Sequence, residues 1–291
     1  MFHQDASVEV EVRASGFLQS SFYYPDQAKY GPRIAPATQG SLHDHILTYK
    51  ADFDIVGASN SFEVSDLVVV NQTQAWFPEL GEFEQMEMNI SYLEKEAAFN
   101  WRPNNGGMFC VVNKNETNAW GEKRGYRLVP GRSNLHLTVQ NSPFSLKNSE
   151  MAKSHLAVTR QHDTEPYANS VQNINLPSAP QQDFSKFFDD EDIDDEDLVV
   201  WFNLGMHHFV RAEDIPVTLY TEAASNIVFA PQNFNDRAQD GDLLNRRWVK
   251  YNATADEITF ESYGVELPSC PISIPEPVYG ISPTVELYQE G

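Results

Sequence analysis

The chain has 291 residues, enough for one large domain or two ordinary ones, and 41% hydrophobic and 12% aromatic residues can supply a packed core. Its 42 acidic residues outweigh 20 basic ones, giving a net charge of −22 at pH 7. Such a field repels nucleic acid phosphates and anionic membranes, so neither is a default partner, and it attracts cations. No apolar stretch nears the ~18 residues of a membrane-spanning helix; the longest lies around Leu67-Val68-Val69-Val70.

In chain order, the opening residues do not read as a secretory leader, and Val8–Arg13 at once alternates apolar and charged residues as a half-buried strand does. A strand so near the first residue predicts that the chain starts inside a larger fold. Further strands are predicted at Ile46–Lys50, Phe62–Val70, Met86–Tyr92, Leu135–Val139, Leu198–Asn203, Val217–Tyr220 and Glu257–Glu261. Met86, Met88, Ile90 and Tyr92 stand two apart and share one sheet face. Turns are predicted at Pro103–Gly107, Pro130-Gly131 and Asp240-Gly241. No segment shows a sustained helical period, and 17 prolines disfavour long helices. The expected class is all-β, a sandwich with long loops. One loop should run from Gln161 to Lys186, and the tail from Pro268 to Gly291, with five prolines, should lie extended over the surface. The two cysteines, Cys110 and Cys270, make no disulfide scaffold, and their pairing is not readable from sequence. Asn-x-Ser/Thr triplets at Asn71, Asn89, Asn115 and Asn252 point to a secreted or extracellular protein.

Three constellations can carry chemistry. In His43-Asp44-His45 the histidines stand at i and i+2 before the strand-like Ile46-Leu-Thr-Tyr49, so on a strand both face one way and can share a metal ion. The plain alternative is two solvated or hydrogen-bonded histidines near a turn. The second is Gly205-Met-His207-His208-Phe-Val-Arg-Ala-Glu-Asp214, after the apolar run Leu198–Asn203. Adjacent strand residues face opposite ways, so only one of His207 and His208 joins a shared site. A third imidazole suits zinc, copper or iron. No cysteine lies nearby, against a blue-copper centre, and the first Glu after His45 is Glu63, too distant for a cupin site. The third is acidic: Asp52-Phe53-Asp54, and the run Asp189–Asp197. Carboxylates two apart around a carbonyl suit Ca2+; the run can equally be a solvated surface, less so at Asp197 beside the apolar Leu198-Val-Val-Trp201.

The order His-x-His, Asp-x-Asp, acidic stretch, Asp197-Leu-Val-Val-Trp201 and Gly-x-x-His-x-x-Arg-Ala-Glu-Asp resembles the C-terminal catalytic domain of copper-containing primary amine oxidases. The resemblance runs from about Val8 to about Asn233 and includes Glu94-Lys-Glu-Ala-Ala-Phe99, Gly125-Tyr-Arg-Leu-Val-Pro130 and Phe229-Ala-Pro-Gln-Asn233. It implies that His43, His45 and His208 hold copper, with His207 in the variable neighbouring place. It implies a calcium site at Asp52, the Phe53 carbonyl, Asp54, Asp197 and the Leu198 carbonyl. A second, peripheral calcium site falls on Glu94, Asp189 and Glu191 with a carbonyl near Phe187. His3, His136, His155 and His162 match no ligand position.

The fold so implied is a large twisted β-sandwich, an obligate homodimer with hairpin arms embracing the partner. The implied reaction turns a primary amine and O2 into aldehyde, ammonia and hydrogen peroxide, using copper and topaquinone, a quinone made from a tyrosine. That tyrosine is expected in Asn-Tyr-Asp/Glu ahead of the His-x-His, yet no Asn-Tyr pair occurs in the 291 residues. The proton-abstracting aspartate is expected further upstream still. The chain is therefore expected to be part of an amine oxidase, able to bind copper and inactive alone. The alternative is a non-enzymatic secreted metal-binding scaffold derived from such an enzyme.

Overall fold

The computed structural model describes residues 1–134, 137–142, 148–173, 179–238 and 246–263. The strands, in chain order, are β1 (Val8–Arg13), β2 (Ser20–Phe22), β3 (Arg33–Ala35), β4 (Thr38–Gly40), β5 (His43–Asp52), β6 (Ser61–Gln72), β7 (Phe83–Tyr92), β8 (Ala97–Phe99), β9 (Gly107–Thr117), β10 (Lys123–Pro130), β11 (Leu156–Arg160), β12 (Leu198–His208), β13 (Ala224–Gln232), β14 (Arg246–Asn252) and β15 (Glu257–Tyr263). The helical pieces among the described residues are short 3-10 turns, as at Pro25–Tyr30 and Phe184–Phe187. The protein is all-β.

Two antiparallel sheets carry the core. The larger has the order β1-β13-β10-β9-β6-β7, the smaller β5-β12-β11-β8. Phe62, Val64, Phe109, Val111, Leu128, Ile227 and Phe229 from the larger meet Leu156, Val158, Leu198, Val200, Phe202 and Leu204 from the smaller. This is the sandwich that alternation predicts. Aromatic rings lock it: Phe202 meets Phe229 edge-on at 5.3 Å and stacks on Tyr49 at 5.2 Å. Such a core residue contributes on the order of 3–5 kcal/mol against truncation to Ala.

The smaller sheet is covered on its outer face too. Val199 and Trp201 pack there against Ala157, Ala168, Phe184 and Phe187. Burial on both faces explains why β12 reads as a continuous apolar run rather than an alternating one. The loop predicted over 161–186 supplies part of this cover, through Ala168 and Phe184.

Two predicted strands are not found. Val217–Tyr220 is a loop after Pro216: Thr218 N donates to the Gly16 carbonyl and Glu222 N to the Leu219 carbonyl, so the chain turns instead of pairing. Of Leu135–Val139, residues 137–139 form no strand and the rest lie outside the described residues. Asp240-Gly241, His136, Cys270 and the tail from Pro268 also lie outside them. By contrast β2, β3, β4, β8, β9, β10, β11, β13 and β14 were not predicted. β9 holds the unbroken apolar run Met108–Val112, and fully buried strands lack alternation.

The chain divides into two compact units, Met1–Arg237 and Ala238–Gly291. The first holds both sheets and every candidate ligand. The second contains the hairpin β14–β15, paired from Arg246↔Tyr263 to Asn252↔Glu257.

Candidate metal centre

The ladder between β5 and β12 places the centre. It runs unbroken from Val199↔Asp52 to His208↔His43. On β5, His43 and His45 share a face with Tyr49 and Ala51, which enter the core; on β12, His208 shares a face with Leu204 and Phe202. All three imidazoles therefore emerge on the inner side of the sheet, at one end of the sandwich. His207 faces outward and binds the carboxylate of Asp44, its cross-strand neighbour. Gly205 lets β5 approach here: a Cβ on it would lie 2.6 Å from the His45 carbonyl oxygen.

His43 Nε2 lies 3.0 Å from His45 Nε2 and 3.3 Å from His208 Nδ1. The opposite ring atoms decide the tautomers. His43 Nδ1 donates to the Ser41 carbonyl at 2.7 Å, leaving Nε2 a lone pair. His208 Nε2 donates to Asp214 Oδ2 at 3.0 Å, leaving Nδ1 a lone pair. His208 is 1% exposed and Asp214 0%. Burial raises the Asp214 carboxyl, but the N–H groups of Arg211 and His208 outweigh it and hold the pKa below the ordinary carboxylate value. Burial, and next the nearness of the His43 and His208 rings, hold the His45 pKa below the usual imidazole value, which favours its lone pair. Lone pairs converging at such distances repel unless a cation sits between them. Three imidazoles, two of them oriented through their other ring nitrogen by the Ser41 carbonyl and Asp214, are the donor set of a copper, zinc or iron site.

At the far end of the same ladder, Asp52, Asp54 and Asp197 bring a carboxylate oxygen each to within 4.8 Å of one another. Burial raises the Asp52 carboxyl, and Asp197 and Asp54 raise it further, the signature of a carboxylate group lacking its counter-charge. Phe53 turns its ring onto Phe229 at 5.3 Å, and Leu198 is fully buried. Nine residue steps along β5 separate this group from His43, roughly 30 Å of strand.

The second carboxylate group differs from its sequence expectation by one member. Asp189 and Glu191 converge with Glu96, not with Glu94. The Glu94 carbonyl instead accepts from Ile193 N at 3.0 Å, while Glu96 accepts from Asp189 N at 2.8 Å and Arg160 N at 3.1 Å. Phe187 is buried against Trp201. His162, read as ordinary in the sequence, bonds Glu191 at 2.7 Å, which raises its pKa. Twenty-nine residues separate the two, and no spacing signal foretells the contact. Nor is the acidic run a bare solvated surface: Asp192 pairs with Lys95 at 2.8 Å and Asp194 with Lys114 at 2.5 Å. His155 is a buried structural histidine between Asn100 and the Asn134 carbonyl, and His3 lies 3.4 Å from Glu9.

The family model "Copper amine oxidase, enzyme domain" matches residues 1–250. Copper amine oxidase vicK1 of Bipolaris victoriae is 38% identical over 235 residues, 80% of this chain and 33% of the relative. The lysyl oxidase of Pichia pastoris superposes with a TM-score of 0.81 at 32% identity, over 96% of this chain and 38% of that one. The amine oxidase of Aspergillus nidulans does so with a TM-score of 0.80 at 37% identity, over 93% of this chain and 36% of that one. The chain thus spans about a third of the length of the curated relative from Bipolaris. With its sandwich, its converging histidines and these matches, the chain belongs to the copper amine oxidase family.

Proposed function

We propose that this chain is the copper-holding part of an enzyme that oxidatively deaminates primary amines to aldehyde, ammonia and hydrogen peroxide. The observation that carries the reading is the convergence of His43 Nε2, His45 Nε2 and His208 Nδ1, with the lone pairs of His43 and His208 fixed by Ser41 and Asp214. His43, His45 and His208 hold copper, which supplies one-electron chemistry toward O2 and processing of a tyrosine to the quinone. Asp214 keeps the His208 proton on Nε2, and Ser41 keeps the His43 proton on Nδ1. Asp52, Asp54 and Asp197 hold Ca2+ together with neighbouring carbonyls, and Glu96, Asp189 and Glu191 form a peripheral second site.

The assembly is a homodimer. The hairpin β6–β7 turns Leu67, Val69, Met86, Met88 and Ile90 to solvent on one face, an apolar strip that a second copy covers. The four Asn-x-Ser/Thr triplets fit a secreted or extracellular protein.

The 291 residues contain no Asn-Tyr pair, so they supply no quinone tyrosine in the family's context, and this chain by itself does not oxidise amines. The test loads it with Cu2+ under air, stains for quinone and measures peroxide from benzylamine. No quinone and no peroxide are expected, and a longer form carrying Asn-Tyr-Asp/Glu ahead of His43 should show both. Peroxide from the 291 residues alone would overturn the assignment of the quinone outside them. A silent longer form would favour a non-enzymatic metal-binding scaffold.

A further inference from the structure

Of the four Asn-x-Ser/Thr triplets, Asn252-Ala253-Thr254 stands apart in its local geometry. It opens the turn of the β14–β15 hairpin, at the last ladder pair, Asn252↔Glu257. Asn252 Oδ1 accepts from Thr254 N at 3.0 Å and Ala255 N at 3.3 Å. Side-chain turns of this kind are what Asn forms at chain reversals. With Oδ1 engaged twice, the carboxamide has one orientation, and Nδ2 makes no hydrogen bond among the described residues. Asn252 is exposed.

We propose that Asn252 is an acceptor of an N-linked glycan, an inference that rests on the extracellular reading above. The donor is an oligosaccharide carried on a lipid pyrophosphate. A bond forms between the sugar's anomeric carbon and Nδ2, and the bond from that carbon to the pyrophosphate oxygen breaks. The lipid pyrophosphate leaves with the electron pair, Nδ2 releases one proton, and nothing is oxidised or reduced.

The hairpin tolerates the sugar for a geometric reason. Val249, Tyr251, Ile258 and Phe260 are exposed and, by the register Val249↔Phe260 and Tyr251↔Ile258, share one face. Asn252 lies on the other face with Lys250, Glu257 and Thr259. A glycan there leaves the apolar face free to pack. The other triplets lack this combination. Asn71 and Asn89 lie within ladder pairs of β6 and β7, Asn71 on the face of Leu67 and Val69, where a sugar would crowd the apolar strip. Asn115 donates Nδ2 to Asp195 Oδ1 at 3.2 Å.

The test translates the full chain behind a cleavable secretory leader into microsomes, so that entry does not depend on where the natural protein resides. Protease-protected chains are enzymatically deglycosylated in heavy-oxygen water, and each converted asparagine is read by mass spectrometry. Conversion at Asn252 in most molecules is expected, and Asn252→Gln and Thr254→Ala should each remove one step of the gel-mobility ladder. A protected chain with Asn252 bare overturns the inference, whatever the other triplets carry. Fractionation of the source cells reads the extracellular assignment separately: a cytosolic protein would sink that assignment and leave the acceptor result standing.

Discussion

Replacing Asp214 with Asn keeps the side chain's shape and removes its charge, which isolates one link in the centre. Asp214 Oδ2 accepts from His208 Nε2 at 3.0 Å and from Arg211 N at 3.1 Å, with the side chain wholly buried. A hydrogen bond to a charged acceptor is worth about 1.5–3 kcal/mol, a neutral one about 0.5–1.5. The amide can also flip and donate to His208 Nε2, which moves the ring proton to Nδ1 and blocks the ligand atom. Loss of such outer partners costs about 10- to 100-fold in metal affinity, or ~1.4–2.7 kcal/mol. Full burial of the pair argues for the upper part of that range, because no water can replace the carboxylate. The assay is competition for Cu2+ between the metal-free protein and a calibrated chelator, with urea unfolding to show that the variant is folded. Because the Asp214 pKa is depressed below 3.8, its stabilising effect is present above that value and lost only as pH falls through the folded pKa. Wild-type copper binding should therefore show no step from Asp214 between about pH 5 and 8. A folded Asp214→Asn protein with unchanged copper affinity would refute the tautomer argument.

Three further outcomes are expected. Gly205→Ala places a methyl 2.6 Å from the His45 carbonyl and 3.0 Å from Leu137 Cδ2, so it should destabilise by about 1–3 kcal/mol and weaken copper binding; equal urea midpoints would show that β5 has room to move. A calcium chelator should lower the melting temperature and added Ca2+ restore it, by ~2.7 kcal/mol at one hundred times the dissociation constant, and Asp197→Asn should abolish the response. Burial pushes the Cys110 thiol up to about 12, so it should resist thiol reagents at pH 8 until the protein unfolds, and rapid labelling of the native state would contradict its burial.

Much of this was legible in the residues because period-2 patterns map directly onto faces. β1, β5, β6, β7, β12 and β15 were foreseen from alternation or β-branched runs, and the i, i+2 spacing of His43 and His45 placed them on one face. Alternation fails where both faces are buried. β9 hides behind Met108–Val112, and along Leu198-Val-Val-Trp201 apolar residues occupy both parities, so sequence alone does not say which of His207 and His208 points inward. The family resemblance chose His208, and the burial of Phe202 and Leu204 on the same parity gives the physical reason. Asp214 stood inside a quoted motif, yet its role needs the 3-10 turn at Ala212–Asp214 that carries it back to His208. Glu94 and Glu96 stand two apart in the link between β7 and β8, and only the contact with Asp189 N tells them apart.

The most direct test of the central claim is a Cu2+ titration of the metal-free chain, followed by electron paramagnetic resonance of the bound ion. One equivalent should bind with hyperfine splitting from three imidazole nitrogens. His208→Ala should lose that species and His207→Ala should keep it, because His207 faces outward onto Asp44. Loss of the site in His207→Ala with retention in His208→Ala, or no stoichiometric copper at all, would contradict the account.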